Sequence, residues 1–120
     1  MARIALVDDD RTSADLLKLL LQLDGHTAVI CRDVEQARGA ATTGVDAFIV
    51  DIRLANDQDG LDLLRAIRRG ETAARADTPV IITSGDYRRA TDAQAAGASR
   101  FIRKPFSPET ISEVLGQLLS

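Results

Sequence analysis

The chain has 120 residues, of which 45% are hydrophobic and 28% are charged, and its formal net charge is −3. This length and composition fit one globular domain over residues 1–120, and the mild negative charge argues against direct nucleic-acid binding. No stretch approaches the roughly 20 apolar residues of a membrane-spanning helix. A strand-like run begins within a few residues of the N-terminus and leaves no room for a signal peptide, so we expect a cytoplasmic protein without a membrane partner. The single cysteine, Cys31, excludes an internal disulfide and is predicted to be buried.

Strand-like and helix-like segments alternate along the chain. Nearly continuous apolar runs predict the strands, and apolar residues at helical spacing predict the helices. In chain order, the predicted elements are a strand at Arg3–Val7, a helix at Thr12–Leu23, a strand at Thr27–Cys31, a helix at Asp33–Thr43, a strand at Ala47–Val50, a helix at Leu61–Arg69, a strand at Pro79–Thr83, a helix at Tyr87–Ala96, a strand at Arg100–Arg103 and a helix that begins at Ser107-Pro108.

Apolar stripes give three of these helices a predicted inner face. The stripes are Leu16, Leu17, Leu20 and Leu23 in the first helix, Leu61, Leu64 and Ile67 in the third, and Ile111, Val114, Leu115 and Leu118 in the last. Ser107 and Pro108 are predicted to be the N-cap and first residue of the last helix. Five strands alternating with five helices favour an α/β fold: a doubly wound (βα)5 with a five-stranded parallel sheet and helices on both faces.

Polar residues cluster where four of the predicted strands end. They are Asp8, Asp9 and Asp10 after the first strand, Asp51 after the third, Ser84 after the fourth, and Lys104 after the fifth. Ligands bind at the carboxyl ends of strands in such sheets, so we expect Asp8, Asp9 and Asp51 to converge there. Three carboxylates without a counter-ion would repel one another, and Mg²⁺ prefers oxygen ligands of this kind. Lys104 and Ser84 could contact a phosphoryl oxygen, whereas Asp10 is predicted to cap the following helix.

The chain resembles the receiver domain of two-component response regulators from end to end. The motifs that carry the resemblance are VDDD near the start, IVD ending at Asp51, Asp59-Gly60-Leu61, PVIITSG at residues 79–85, GAS at 97–99 and KPF at 104–106. The resemblance implies a flavodoxin-like strand order of 2-1-3-4-5. It also implies a Mg²⁺-dependent signalling phosphoacceptor, rather than an enzyme acting on a separate substrate. The partners it implies are a sensor histidine kinase or histidine phosphotransfer protein and an unknown output protein.

The same resemblance assigns roles to individual residues. Asp51 would be the phosphoacceptor, and Asp8, Asp9, Asp51 and the backbone carbonyl of Arg53 would hold the Mg²⁺ ion. Ser84 and Lys104 would contact the phosphoryl group, Phe101 would be the switch aromatic, and Pro105 would follow a cis peptide bond. The fourth helix, fifth strand and fifth helix would form the output face, which could also support a homodimer.

Several features depart from the family pattern. The stretch LANDQD after Asp51 is one residue longer than usual and lacks Met-Pro, Phe101 replaces a common tyrosine, and Thr83 is an alternative hydroxyl to Ser84. The segment from Asp86 to Ala96 is short and alanine-rich, which predicts a thinly packed fourth helix.

Other functional classes fit the sequence less well. A haloacid-dehalogenase-like phosphatase needs a second aspartate where Arg53 stands, and three aspartates would repel the phosphate of a flavodoxin-like FMN site. A degenerate receiver that acts only through protein contacts stays as the alternative function. Both a free-standing receiver and a domain excised from a longer regulator or hybrid kinase are consistent with this sequence.

Overall fold

The five apolar runs form one parallel sheet in the computed structural model, which describes residues 2–120. The strands are β1 (Arg3–Val7), β2 (Thr27–Cys31), β3 (Ala47–Asp51), β4 (Val80–Ser84) and β5 (Arg100–Arg103). They lie in the order β2-β1-β3-β4-β5, and each neighbouring pair is parallel. The predicted sheet and its flavodoxin-like strand order are therefore confirmed.

Five α-helices connect the strands. They are α1 (Arg11–Leu23), α2 (Val34–Ala41), α3 (Gly60–Arg68), α4 (Ala90–Ala96) and α5 (Pro108–Leu119). The helix predicted over Tyr87–Ala96 is divided, because Tyr87–Arg89 forms a 3₁₀ turn before α4 begins. Ala93 is the one fully buried residue of α4 among those described, so this helix is thinly packed, as its alanine-rich sequence predicts.

The helices cover both faces of the sheet because inward side chains alternate along each strand. On one face, Val7, Val50 and Ile82 pack with residues of α2, α3 and α4. On the other, Leu6 and Ile81 pack with residues of α1 and α5. The predicted stripes of α3 and α5 face these two cores, and Cys31 is buried as expected. No helix within residues 2–120 is long and apolar enough to cross a membrane.

The predicted stripe of α1 is partly wrong. Leu21 and Ala14 are the buried residues of this helix, whereas Leu16 and Leu23 are 59% and 76% exposed. Leucines occupy almost every position from 16 to 23, so the spacing alone does not select one face.

Candidate functional site

The three predicted carboxylates meet at the carboxyl end of the sheet. Because Val7 of β1 pairs with Val50 of β3, the residues that follow them lie side by side. Asp8, Asp9 and Asp51 each place a carboxylate oxygen within 4.8 Å of the other two. The side chains of Asp8 and Asp51 are only 14% and 15% exposed, while Asp9 faces solvent. Two mostly buried carboxylates therefore lie beside a third that solvent or a ligand can reach.

Lys104 is the cation that balances part of this charge. It follows β5, and its Nζ lies 2.7 Å from Oδ2 of Asp51 and 3.6 Å from Oδ2 of Asp8. Burial lowers the pKa of Lys104, but the hydrogen bond and charge of Asp51, together with Asp8, outweigh this effect and raise the pKa above 10.5. The lysine is therefore an ammonium ion at neutral pH. One ammonium against three carboxylates leaves the cluster negative.

Burial makes the carboxyl group of Asp8 harder to ionise than a free one. Burial raises the pKa of Asp8 above 3.8, and the backbone N–H of Asp10 and the Lys104 ammonium offset only part of the rise. The N–H of Asp10 donates to Oδ1 of Asp8 over 2.9 Å, which orients the carboxylate. A bound divalent cation would favour the charged form of this group.

Asp10 has the capping role predicted for it. Its side chain accepts hydrogen bonds from the backbone N–H of Thr12 and from Oγ of Ser13, at 3.2 and 3.0 Å. The Ser13 hydroxyl in turn lowers the pKa of Asp10. Asp10 thus starts α1 and is separate from the carboxylate cluster.

The loop after Asp51 is closed by its own hydrogen bonds. The N–H of Leu54 donates to the carbonyl of Gln58, and Arg53 and Asp59 form an isolated antiparallel bridge. The loop contains a 3₁₀ turn at Ala55–Asp57, in which Asn56 adopts a φ of 61°. Arg53 lies two residues after Asp51, and its N–H donates to Oδ1 of Asp51 over 3.3 Å. Asp9 and Arg53 also line one cavity of about 440 Å³.

Ser84 and Thr83 border Asp51 on different sides. Ser84 shares a cavity of about 560 Å³ with Asp51, Arg53 and Lys104. Thr83 lines a second cavity of about 500 Å³, which Asp51 and Lys104 also border and which extends along α1. Strand alternation places Ser84 on the same sheet face as Ile82, whose neighbour on β5 is Phe101. Ser84 and Phe101 therefore share a face, and Thr83 points to the opposite one.

Ser84 is hydrogen-bonded to the loop that follows β4. Oγ of Ser84 accepts a hydrogen bond from the N–H of Asp86 over 3.0 Å. The Arg88 guanidinium donates twice to the Asp86 carboxylate and lowers the pKa of Asp86 to about 2. The next residue, Arg89, forms a 2.9 Å salt bridge with Asp59, the N-cap of α3. The loop after β4 and the loop before α3 are thus joined by an ion pair, which the sequence alone did not predict.

Phe101 and Pro105 lie on either side of Lys104 in the chain. Phe101 is partly buried and packs against the core on the α3 and α4 face. The peptide bond between Lys104 and Pro105 is cis. Ser107 is the N-cap residue of α5, but its hydroxyl bonds Oγ1 of Thr110 over 3.0 Å and caps no backbone N–H.

Comparisons with known proteins agree on one family. A family model for the response regulator receiver domain matches residues 4–116. Transcriptional regulatory protein CpxR of Escherichia coli (strain K12) is 32% identical over 109 residues, which cover 89% of this chain and 44% of CpxR. Regulatory protein VirG of Agrobacterium tumefaciens (strain 15955) is 36% identical over 111 residues, which cover 89% of this chain and 39% of VirG. The chain thus spans less than half the length of these two relatives.

A solved structure extends the similarity to the whole fold. The response regulator receiver domain protein from Clostridium thermocellum superposes with a TM-score of 0.87 at 26% identity. The match covers 99% of this chain and 94% of that one. The likeness therefore includes every strand whose end contributes to the carboxylate cluster.

Proposed function

Because this chain belongs to the receiver domain family of response regulators, we propose that Asp51 accepts a phosphoryl group from a partner histidine. The donor would be a sensor histidine kinase or a histidine phosphotransfer protein. The observation that carries the proposal is the contact of Lys104 with Asp51 at 2.7 Å, beside the carboxylates of Asp8 and Asp9. An ammonium ion and an acidic cation site around one carboxylate are the parts that phosphoryl transfer needs.

The donor set fits Mg²⁺. Carboxylate oxygens from three residues lie within 4.8 Å of one another, and Mg²⁺ takes oxygen ligands, one or two of them carboxylates. Asp9 and Asp51 would bind the ion directly, Asp8 would act largely through a bound water, and the carbonyl of Arg53 would add a ligand. When bound, the ion would neutralise charge on the phosphoryl oxygens.

The transfer exchanges one bond to phosphorus for another. A carboxylate oxygen of Asp51 attacks the phosphorus, and the P–N bond to the donor imidazole breaks with its electron pair moving to nitrogen. The product is an acyl phosphate on Asp51. The Lys104 ammonium can pass from Oδ2 of Asp51 to a phosphoryl oxygen without leaving the site. Hydrolysis by water later releases inorganic phosphate and restores the carboxylate.

Phosphorylation would change the preferred conformation of the loop after β4. Ser84 Oγ now accepts from the Asp86 N–H and donates to the Asp86 carbonyl over 3.5 Å. It would donate to a phosphoryl oxygen instead once one is present. Movement of Ser84 would open space for Phe101, which lies on the same face of the sheet. The face formed by α4, β5 and α5 would then differ between two states whose populations phosphorylation shifts.

The test is intact-protein mass spectrometry after incubation with acetyl phosphate, with and without Mg²⁺. We expect one added phosphoryl group that requires Mg²⁺, and none on an Asp51→Asn variant. An adduct that persists in Asp51→Asn would refute the assignment of the acceptor. If neither acetyl phosphate nor candidate kinases modify the wild-type chain, a receiver that acts only through protein contacts becomes the better description.

A further inference from the structure

A groove between α3 and α4 is lined mainly by arginines. It has a volume of about 370 Å³ and is lined by Arg65, Arg68, Arg69, Asp92, Ala95 and Ala96. Three guanidinium groups face one carboxylate there, although the chain as a whole carries a net charge of −3. A concave surface of one sign attracts ligands of the other sign, and the volume suits a small molecule.

This basic groove lies far from the carboxylate cluster. Helix α3 begins at Gly60, next to Asp51, and Arg68 lies about 12 Å further along the helix axis at a rise of 1.5 Å per residue. Arg68 also contacts the carbonyls of Ala76 and Thr78, which come just before β4. The groove is therefore at the amino edge of the sheet. It shares no lining residue with the three cavities at the carboxyl edge.

The three arginines are neighbours on one face of α3. Arg65 is followed by Arg68 and Arg69 at three and four residues, which places their β-carbons about 5–6 Å apart. Like charges at four-residue spacing repel and destabilise a helix, and the negative end of the helix dipole offsets part of this repulsion. An anion bound between the guanidinium groups would remove the remainder.

Arg68 is held by neutral groups instead of a carboxylate. It donates one hydrogen bond from Nε to Gly97, two from Nη1 to Ala76 and Thr78, and one from Nη2 to Oγ of Ser99. Among residues 2–120 it forms no salt bridge. Burial lowers the pKa of Arg68 for the same reason. The guanidinium is thus fixed in place while its charge is not neutralised.

The remaining charges leave the groove positive. Arg69 is exposed and forms no salt bridge in the described part of the chain, and Arg65 has one exposed partner, Asp62, at 3.1 Å. Asp92 is the acidic residue that lines the groove, and it already pairs with Arg89 at 3.3 Å. No carboxylate of residues 2–120 therefore pairs with Arg68 or Arg69.

We propose that this groove binds a diphosphate group, either as inorganic pyrophosphate or as part of a nucleotide. A guanidinium offers paired N–H donors that match phosphate oxygens, and two such groups one helical turn apart can each take one phosphate. Ala95 and Ala96 form the opposite wall with small side chains, which leaves room for the ligand beside α4. The inference does not depend on the phosphoacceptor function of Asp51.

The experiment titrates the full chain with pyrophosphate and, separately, with ADP, and follows the backbone signals in ¹H–¹⁵N NMR spectra. Mg²⁺ is left out because it would bind both probes. We expect saturable shifts at residues 65–70 and 92–97, and none at Asp51 or Gly85. Equal affinity for both probes would assign the diphosphate alone, whereas tighter binding of ADP would identify a nucleotide as the ligand.

Substitutions on both walls test the role of charge. Arg69→Gln should weaken binding about fivefold, the upper value for an exposed ion pair. Asp92→Asn should instead tighten it about threefold, which is the effect of one unit charge roughly 6 Å away in water. Arg32→Gln is the matched control, because it removes the same charge from an exposed residue at the carboxyl edge, and it should leave the affinity unchanged. Arg69 and Asp92 are both exposed, so these variants should fold.

Three results would overturn the proposal. The first is the absence of saturable shifts with either probe at millimolar concentrations. The second is an affinity that Arg69→Gln and Asp92→Asn change no more than Arg32→Gln does. The third is binding of a glutamate-rich peptide at these residues when neither probe binds, which would make the groove a surface for acidic proteins. A failure of Asp51 to accept a phosphoryl group would refute the proposed function and leave this site unaffected.

Discussion

Gly60 offers a direct test of how closely α3 packs against the end of β3 at Asp51. It is the first residue of α3, and its N–H donates a 2.6 Å hydrogen bond to the carbonyl of Ile52. A β-carbon at this position would lie 2.2 Å from the backbone oxygen of Asp51 and 2.8 Å from Cγ1 of Val50. Real β-carbons essentially never approach within 3.0 Å of such atoms, so Gly60→Ala must displace the backbone of β3.

The expected change in the free energy of unfolding of Gly60→Ala is the sum of two opposing contributions. Overpacking typically costs 1–3 kcal/mol, and because the clash is with backbone we take about 3 kcal/mol. Alanine regains about 1 kcal/mol of helix propensity relative to glycine. The free energy of unfolding should therefore fall by about 2 kcal/mol. With an unfolding entropy of about 2.1 cal/mol/K per residue, this corresponds to a melting temperature about 8 °C lower.

The assay is thermal and urea unfolding followed by far-ultraviolet circular dichroism. Gly39→Ala is the matched control, because Gly39 lies inside α2 and a β-carbon there would have no neighbour within 4 Å. That control should stabilise the protein by about 0.5–1 kcal/mol. If Gly60→Ala proves as stable as Gly39→Ala, the close approach of α3 to Asp51 is not a rigid feature of the fold, and the reasoning is wrong.

Three further predictions concern the proposed cation site, the cap of α3 and a partly buried arginine. Mg²⁺ at ten times its Kd should raise the free energy of unfolding of wild type by about 1.4 kcal/mol, and Asp9→Asn should lose this response. If Mg²⁺ shifts the melting temperature of wild type and of Asp9→Asn equally, Asp9 is not part of a Mg²⁺ site. Burial raises the pKa of Asp59, but the hydrogen bonds from Arg89 and from the Leu61 N–H outweigh it and hold the pKa below 3.8. A lowered pKa stabilises the fold above pH 3.8, and this stabilisation is lost as the pH falls through the lowered value. In urea titrations, Asp59→Asn should therefore lower the free energy of unfolding by about 0.5–1 kcal/mol at pH 7. It should have no effect at a pH below the lowered pKa of Asp59. A loss that does not change with pH would exclude the ion pair as its source. Arg68 donates to the carbonyls of Ala76, Thr78 and Gly97 at 2.8, 2.6 and 2.8 Å. Arg68→Met should therefore lower the free energy of unfolding in urea by about 2–3 kcal/mol. The control Arg69→Met, at the neighbouring exposed position, should lower it by less than about 0.5 kcal/mol.

Much of the fold follows from local patterns in the sequence. Continuous apolar runs mark strands that are covered on both faces, and the stripe Leu61, Leu64 and Ile67 identifies the buried side of α3 because only one helical face is apolar there. Asp10 could be assigned as a cap because capping depends on residues within one turn. Once the sheet is taken as parallel, the residues after β1, β3 and β5 must meet at one edge. Asp8, Asp9, Asp51 and Lys104 were found in this way.

Contacts between distant segments required the tertiary structure. The sequence allowed Thr83 or Ser84 as the switch hydroxyl, and strand register places Ser84 on the face of Phe101. The leucine-rich α1 has no single apolar face, so only its packing decides that Leu21 is buried and Leu23 is exposed.

The pairing of charges is the clearest case of a property decided by tertiary structure. The sequence contains many arginines and does not distinguish their partners. In the fold, Arg89 forms a salt bridge with Asp59 from a different loop, while Arg103 lies over the Tyr87 ring and forms no salt bridge within residues 2–120. Strand periodicity and chain order are local properties, so they are enough to predict which residues reach the carboxyl edge of the sheet. Which of those charges are neutralised depends on distances of a few ångströms between loops that are far apart in the chain, and only the folded structure sets those distances.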